Sequence, residues 1–326
     1  MPVQCSLGKT CGAVLGILVL AMPKAAHAIL VGPGDGTQDT TQGSMPNGWN
    51  YVGTVDSASG TYLGNGWVIT ADHIGGIVTG SSFTIDGYGT YLCNGNVVRL
   101  TDPNTSQDVD LQMFQLATAP ALAPLNIASS TPAAGTSIYM VGYGHSQRNV
   151  QPTYYAVTGD PNNPTWTVVA NPSDANAGGF GYDPSAQIKR WGTNLTAIDP
   201  VTGQTTSTQN IGNGATTCLY ADFYDSLADY LASGGTSEEG MATAGDSGGG
   251  IFESDNTLVA LNAYVDTYIN QPANTAMFGD GMDPIDLAAY QPEITSIMVP
   301  EPSGGLLMAA AVFSLLAMRR RKMNCL

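Results

Sequence analysis

The stretch Gly245–Gly249, with the sequence GDSGG, is the most informative part of this chain. Glycines on both sides of Ser247 allow a tight backbone turn that leaves the serine hydroxyl uncovered. Backbone N–H groups in such a turn can converge on an oxyanion, and the stretch therefore predicts a nucleophilic serine. It also satisfies the G-x-S-x-G pattern of α/β-hydrolases. Those enzymes place their histidine after the serine, and no histidine follows Ser247, so this alternative is excluded.

A serine nucleophile needs a base, and histidine is the usual base near neutral pH. Outside the N-terminal segment the chain has two histidines, His73 and His145. His73 follows the strand-like apolar run Trp67–Ala71, whereas His145 follows a glycine-rich stretch. Neither position is decisive by itself, and the choice depends on the flanking sequence.

Six blocks of the chain resemble the trypsin/chymotrypsin-like serine proteases, in the order in which that family has them. Residues 67–73 are similar to the family's WVVTAAH motif, and Gly245–Gly249 matches its GDSGG motif. The four weaker matches are residues 110–116, 138–144, 258–264 and 281–294. The resemblance implies an all-β fold of two six-stranded antiparallel β-barrels, with the active site between them and a long insertion in the second barrel.

The resemblance also implies a role for individual residues. His73 is the general base, Asp110 orients it, and Ser247 is the nucleophile. The backbone N–H groups of Gly245 and Ser247 form the oxyanion hole. Asp108 lies in the same stretch as Asp110 and is an alternative partner for the histidine.

The resemblance further indicates a substrate pocket and an ion pair. By their offset from Ser247, the residues expected to line the pocket are Met241, Ala263, Tyr264 and Val265. Because no carboxylate stands at the expected pocket base, we predict a medium-sized apolar substrate side chain. In the family, the acid before the nucleophile binds a buried N-terminal ammonium group. Cleavage after Ala28 would give such a group at Ile29, which predicts an ion pair with Asp246.

Both ends of the chain have the pattern of processing signals. Residues 1–28 combine a basic residue, an apolar run and the triplet Ala26-His27-Ala28, which is typical of a signal peptide; an uncleaved anchor is the alternative. Residues 299–326 contain Pro-Glu-Pro, an apolar run and a basic end, and they resemble a PEP-CTERM sorting tail; a plain C-terminal anchor is the alternative. These resemblances imply signal peptidase and an exosortase-type enzyme as processing partners. They also imply transient membrane association through the C-terminal segment, and export to the cell surface or extracellular matrix of a Gram-negative bacterium.

Between these ends, short β-branched runs alternate with turn residues, as in all-β proteins. We place the first barrel at residues 29–125 and the second at 126–298, with a loop-rich insertion at about 146–236. This body has four basic and 25 acidic residues, a net charge of −21, which argues against nucleic acid as a partner. The spacing of its histidines and cysteines predicts no zinc site, and no phosphate-binding glycine loop is present, so we expect no metal and no cofactor. Calcium binding by acidic loops, such as Asp35 with Asp39 and Asp102 with Asp108, is the alternative. It leaves open whether Cys93 and Cys218 form a disulfide.

These observations predict an exported serine endopeptidase that hydrolyses peptide bonds in proteins or peptides through an acyl-enzyme intermediate. The alternative is a non-catalytic surface or extracellular-matrix protein that keeps the same fold for binding. The presence of a serine, a histidine and an aspartate together in these sequence contexts favours the enzyme, because a binding protein needs none of the three in these positions.

Overall fold

The computed structural model describes residues 29–32, 37–210, 214–224, 226–233 and 239–299. The predicted signal peptide and all of the predicted sorting tail except Val299 lie outside these residues. Within the described ranges, no helix has both the length and the apolar character needed to cross a membrane.

The described chain consists mainly of β-strands. The strands that precede residue 120 are β1 (Leu30–Gly32), β2 (Val52–Val55), β3 (Ala58–Gly64), β4 (Trp67–Ala71), β5 (Ser82–Ile85), β6 (Gly89–Thr101) and β7 (Asp108–Leu116). The later strands are β8 (Ser137–Gly142), β9 (His145–Gln147), β10 (Thr153–Asp160), β11 (Asn163–Val169), β12 (Ala177–Gln187), β13 (Arg190–Leu195), β14 (Thr206–Asn210), β15 (Ala215–Leu219), β16 (Ala221–Asp222), β17 (Glu239–Met241), β18 (Gly250–Phe252), β19 (Leu258–Asp266), β20 (Thr275–Met277) and β21 (Gly281–Asp286). The α-helices are α1 (Leu227–Ser233) and α2 (Gln291–Met298), and short 3₁₀ helices lie at Thr37–Thr40, Asn47–Tyr51, Asp72–Ile74, Pro172–Asp174 and Leu287–Ala289.

Six strands close into an antiparallel barrel in the order β2-β3-β4-β7-β6-β5. Its interior is filled by buried apolar side chains, among them Val68, Phe83 and Phe114. Phe83 and Phe114 pack edge to face with ring centroids 6.2 Å apart, an arrangement that aromatic pairs favour. The predicted first barrel is therefore present.

The second half of the fold is a ten-stranded sheet with the path β1-β17-β13-β8-β18-β19-β21-β15-β14, and β16 pairs with β21 off this path. The sheet curls into a half-barrel beside the first barrel. The prediction of an all-β, two-barrel fold is confirmed, but the second half has more strands than the six expected.

Two domain boundaries differ from the prediction. Strand β1 lies within the predicted first barrel, yet it pairs with β17 in the second sheet, because Ile29, Leu30 and Val31 are buried in the core of that half. The predicted insertion divides in two. Strands β9 to β12 form a separate five-stranded sheet with β20, whereas β13 to β16 belong to the ten-stranded sheet. Cys93 and Cys218 are both buried and free.

Candidate active site

His73 and Asp110 are brought together by two neighbouring barrel strands. Strand β4 ends at Ala71, and the following 3₁₀ turn carries His73. Because Ala71 lies opposite Leu111 on the antiparallel strand β7, Asp110 is placed beside this turn. The His73 backbone N–H donates to Asp110 Oδ1 at 2.7 Å, and His73 Nδ1 lies 2.6 Å from Asp110 Oδ2. Both contacts fix the imidazole relative to a fully buried carboxylate.

Ser247 comes from the other half of the fold, in the turn between β17 and β18. Its Oγ lies 2.8 Å from His73 Nε2. Strand β3 of the barrel holds this turn, because the Ser59 N–H donates to the Ser247 carbonyl at 3.0 Å and Thr61 Oγ1 donates to the Gly248 carbonyl at 3.0 Å. The structure thus brings the three predicted catalytic residues into one hydrogen-bonded series.

The turn around the serine needs glycine at two positions. Gly245 has a φ of 95° and Gly248 a φ of 86°, which are left-handed conformations that other residues rarely adopt. A Cβ at Gly248 would also lie 2.1 Å from Thr70 Oγ1. The N–H groups of Gly245 and Ser247, the predicted oxyanion donors, donate to no backbone carbonyl of the described chain.

Asp246 is fully buried and accepts several hydrogen bonds. Its carboxylate oxygens accept from the Gly144 N–H at 2.7 Å and from the Thr243 N–H at 2.8 Å. The backbone N–H of Ile29 donates to the same carboxylate, so the two residues of the predicted ion pair lie in contact. Burial raises the pKa of Asp246 to about 7, and these donors oppose the shift.

Tyr264 contacts the catalytic aspartate, although the sequence predicted it only as a pocket residue. Its hydroxyl donates to Asp110 Oδ2, and its ring lies 5.7 Å from the His73 ring. Burial, together with the contact to Asp110, raises the pKa of the Tyr264 phenol, so the hydroxyl keeps its proton and remains a donor. The Asp110 backbone N–H donates to Thr216 Oγ1 at 2.9 Å. No sequence motif marks either contact.

Asp108, the alternative partner for the histidine, lies elsewhere. Its exposed carboxylate pairs with Arg99 at 3.0 Å, measured from Oδ2 to Nη1. The same guanidinium also pairs with Asp72, the buried acid just before His73, and this double contact raises the pKa of Arg99. Asp110 is therefore the carboxylate that contacts His73.

The second body histidine lies apart from the serine. The His145 N–H donates to Thr243 Oγ1 at 2.8 Å, its ring lies 5.7 Å from the Tyr182 ring, and burial lowers its pKa. Among the described residues, no group of three or more histidine, cysteine, aspartate and glutamate side chains is arranged to hold a metal ion.

A cleft of about 400 Å³ lies beside Ser247 and His73. All four predicted pocket residues, Met241, Ala263, Tyr264 and Val265, line it. The residues that the sequence did not predict are Tyr182, Gln209, Ala242, Thr243, Ala244, Asn262, Asp266, Thr267, Thr275, Ala276 and Asp280. Ala242, Thr243 and Ala244 lie between β17 and β18, and the others lie in or beside strands β12, β14, β19 and β20.

Part of the chain matches a known protein family. Residues 36–167, which include His73 and Asp110, match the family model described as Trypsin. No curated protein matches the chain.

Three similar solved structures share little sequence with the chain, and each of them aligns with 78% of the chain's length. Human heparin binding protein is 12% identical, with 94% of that chain covered and a TM-score of 0.45. Neuropsin, a serine protease from mouse brain, is 13% identical, with 97% covered and a TM-score of 0.42. The MamO protease domain from Magnetospirillum magneticum is 14% identical, with 98% covered and a TM-score of 0.41. The family match at residues 36–167 and the two-barrel architecture support a relation between this chain and the trypsin/chymotrypsin-like family of serine proteases.

Proposed function

We propose that the chain is a serine endopeptidase, which cleaves peptide bonds in proteins or peptides through an acyl-enzyme intermediate. The observation that carries this proposal is the hydrogen-bonded series from Asp110 through His73 to Ser247, with distances of 2.6 Å and 2.8 Å. Nucleophile, base and orienting acid within hydrogen-bond reach are what activation of a serine hydroxyl requires.

The reaction follows from these contacts. His73 Nε2 takes the hydroxyl proton as Ser247 Oγ forms a bond to the substrate carbonyl carbon. Asp110 stabilises the resulting imidazolium through Nδ1–H, and the N–H groups of Gly245 and Ser247 bind the oxyanion. When the C–N bond breaks, His73 gives the proton to the leaving amine. A water molecule, deprotonated by His73, then attacks the acyl carbon; as the bond to Ser247 Oγ breaks, His73 returns the proton to Oγ and the carboxylic acid leaves.

A fluorophosphonate probe tests the nucleophile directly. Wild type should be labelled and Ser247→Ala should not, whereas Ser254→Ala, which removes an exposed hydroxyl from a nearby turn, should be labelled like wild type. Digestion of a denatured protein substrate, lost in the same Ser247 variant by about 10⁴-fold or more, then separates an endopeptidase from an esterase. A folded wild-type sample that takes up no probe would favour the binding protein.

We further propose that the enzyme is exported and that signal peptidase cleavage after Ala28 frees the Ile29 ammonium group. The contact between the Ile29 N–H and Asp246 supports this, because an ammonium group at the same place would neutralise a buried carboxylate. The C-terminal motifs support sorting by an exosortase-type enzyme to the cell surface or matrix. Mass spectrometry of the mature protein should find Ile29 at its N-terminus and a C-terminus that lacks the basic end.

A further inference from the structure

A second cavity, of about 340 Å³, lies where the five-stranded sheet meets the loop between β19 and β20. Its lining residues are Val157, Pro161, Pro164, Trp166, Asn176, Ala177, Ser226, Leu227, Tyr268, Ile269 and Phe278. None of these side chains is charged, although the body of the chain is strongly acidic. We call this cavity the hairpin groove, because the β10–β11 hairpin forms one wall.

The hairpin groove has a fixed aromatic wall. Trp166 lies opposite Val157 in the hairpin register, and its ring packs 6.1 Å from the Tyr268 ring. Trp166 Nε1 donates to the Ile269 carbonyl at 3.1 Å, and Asn270 Nδ2 donates to Asn163 Oδ1 at 2.8 Å. These contacts attach the loop to the hairpin, so the groove keeps its shape without an occupant.

One continuous segment of chain lines both the groove and the cleft beside Ser247. Val265, Asp266 and Thr267 line that cleft, and the next two residues, Tyr268 and Ile269, line the groove. Ala263, whose carbonyl lies 3.5 Å from Ser247 Oγ, begins the same segment. Five residues of chain span at most about 17 Å, so an extended peptide bound at Ser247 can reach the groove with a residue about five positions away.

From this continuity we propose that the hairpin groove binds an apolar side chain of an extended peptide substrate, within about five residues of the cleaved bond. The inference rests on the proposed endopeptidase function and adds a second recognition site to it. The occupant is apolar because the lining is uncharged and because Tyr268 and Ile269 leave 45% and 52% of their surfaces exposed. A cavity of this size fits one aromatic side chain, and burial of such a side chain is favourable.

The test uses pairs of fluorogenic peptides that are identical around the cleaved bond and differ by phenylalanine or serine at one outlying position. Across the set of pairs, that position lies two, three, four or five residues from the cleaved bond, on either side of it. Wild type should cleave the phenylalanine member of one pair about 10- to 100-fold faster in kcat/KM, mainly through a lower KM. In Trp166→Ala and Ile269→Ser this ratio should fall towards one.

Val168→Ala is the matched control, since it removes an exposed apolar side chain from the same strand but outside the groove, and it should keep the wild-type ratio. Trp166→Ala removes the hydrogen bond to the Ile269 carbonyl and could disturb the hairpin. Ile269→Ser keeps that backbone carbonyl and its hydrogen bond, so it tests the groove without this disturbance. A ratio near one for every pair in wild type overturns the inference, as does a wild-type ratio in both groove variants. A further outcome would also overturn the inference: wild type self-associates, Ile269→Ser abolishes the self-association, and the peptide ratios stay unchanged. The occupant of the groove would then be a second copy of the chain. Fluorophosphonate labelling of wild type is independent of the groove, so loss of the proposed function is recognised separately.

Discussion

Replacement of Tyr264 by phenylalanine removes one hydroxyl and keeps the ring that packs 5.7 Å from His73. That hydroxyl donates to Asp110 Oδ2, the same oxygen that lies 2.6 Å from His73 Nδ1. Asp110 is fully buried, so water cannot replace the lost donor without a rearrangement. We expect Tyr264→Phe to weaken the hold of Asp110 on the imidazole while the cleft keeps its shape.

The size of the effect follows from the kind of hydrogen bond. A bond to a charged group contributes about 1.5–3 kcal/mol net, and each ~1.4 kcal/mol corresponds to a tenfold change in rate. The contact of the Asp110 carboxylate with the imidazole matters most when the imidazolium forms. We therefore expect kcat/KM to fall about 10- to 100-fold, with most of the loss in kcat.

The assay measures kcat and KM on one peptide substrate, together with the rate of fluorophosphonate labelling, which reports nucleophile activation without peptide binding. Both rates should fall in parallel. Tyr91→Phe is the control, because it removes a tyrosine hydroxyl that donates to the Tyr88 carbonyl at the exposed surface of the barrel. A labelling rate within twofold of wild type would refute the positioning role of Tyr264. An increase in KM alone would show that Tyr264 acts only as a substrate-pocket residue.

Two further predictions concern buried charge. Lys189 is buried over the Trp49 ring, and burial lowers its pKa to about 7 from an ordinary value of 10.5. Between pH 7 and pH 10.5 the unfolded chain therefore binds a proton that the folded chain does not, and the free energy of unfolding rises with pH. Lys189→Met should raise the urea midpoint, and its advantage in unfolding free energy should shrink by roughly 3 kcal/mol from pH 5 to pH 9; a pH-independent advantage would contradict the low pKa. Ile29→Gly should lower peptidase kcat/KM at least ~10-fold, because the side chain that seats the N-terminus beside Asp246 is fully buried, whereas Ile29→Val should stay within about 10-fold of wild type. Full activity of Ile29→Gly would show that the contact with Asp246 does not order the serine turn.

The sequence was sufficient to predict the fold class and to select three residues that the structure brings together. The flanking motif selected His73 over His145, and the apolar spacing of the residues after Asp110 selected that acid over Asp108. The local motif is sufficient to identify the serine turn, because the backbone conformation of that turn itself requires Gly245 and Gly248.

What the sequence could not predict are contacts between distant segments. The Tyr264 hydroxyl and Asp110 are 154 residues apart, and no periodicity relates them. The pairing of β1 with β17 likewise depends on the burial of Ile29 in the core of the second half, which is determined by side-chain packing in the folded state. The hairpin groove arises from an inserted sheet that meets a loop about 100 residues later in the chain.

The geometry of the candidate site depends on both halves of the fold at once. His73 and Asp110 belong to the barrel, but the Asp110 N–H is bound by Thr216 of the second sheet. Ser247 belongs to the second half, but its carbonyl accepts from the barrel residue Ser59. Neither half can therefore hold its own catalytic group in place alone, and a disturbance at the contact between β3 and the serine turn should reduce activity before it unfolds either core. The long-range hydrogen bonds across this boundary thus connect the fold to the proposed chemistry.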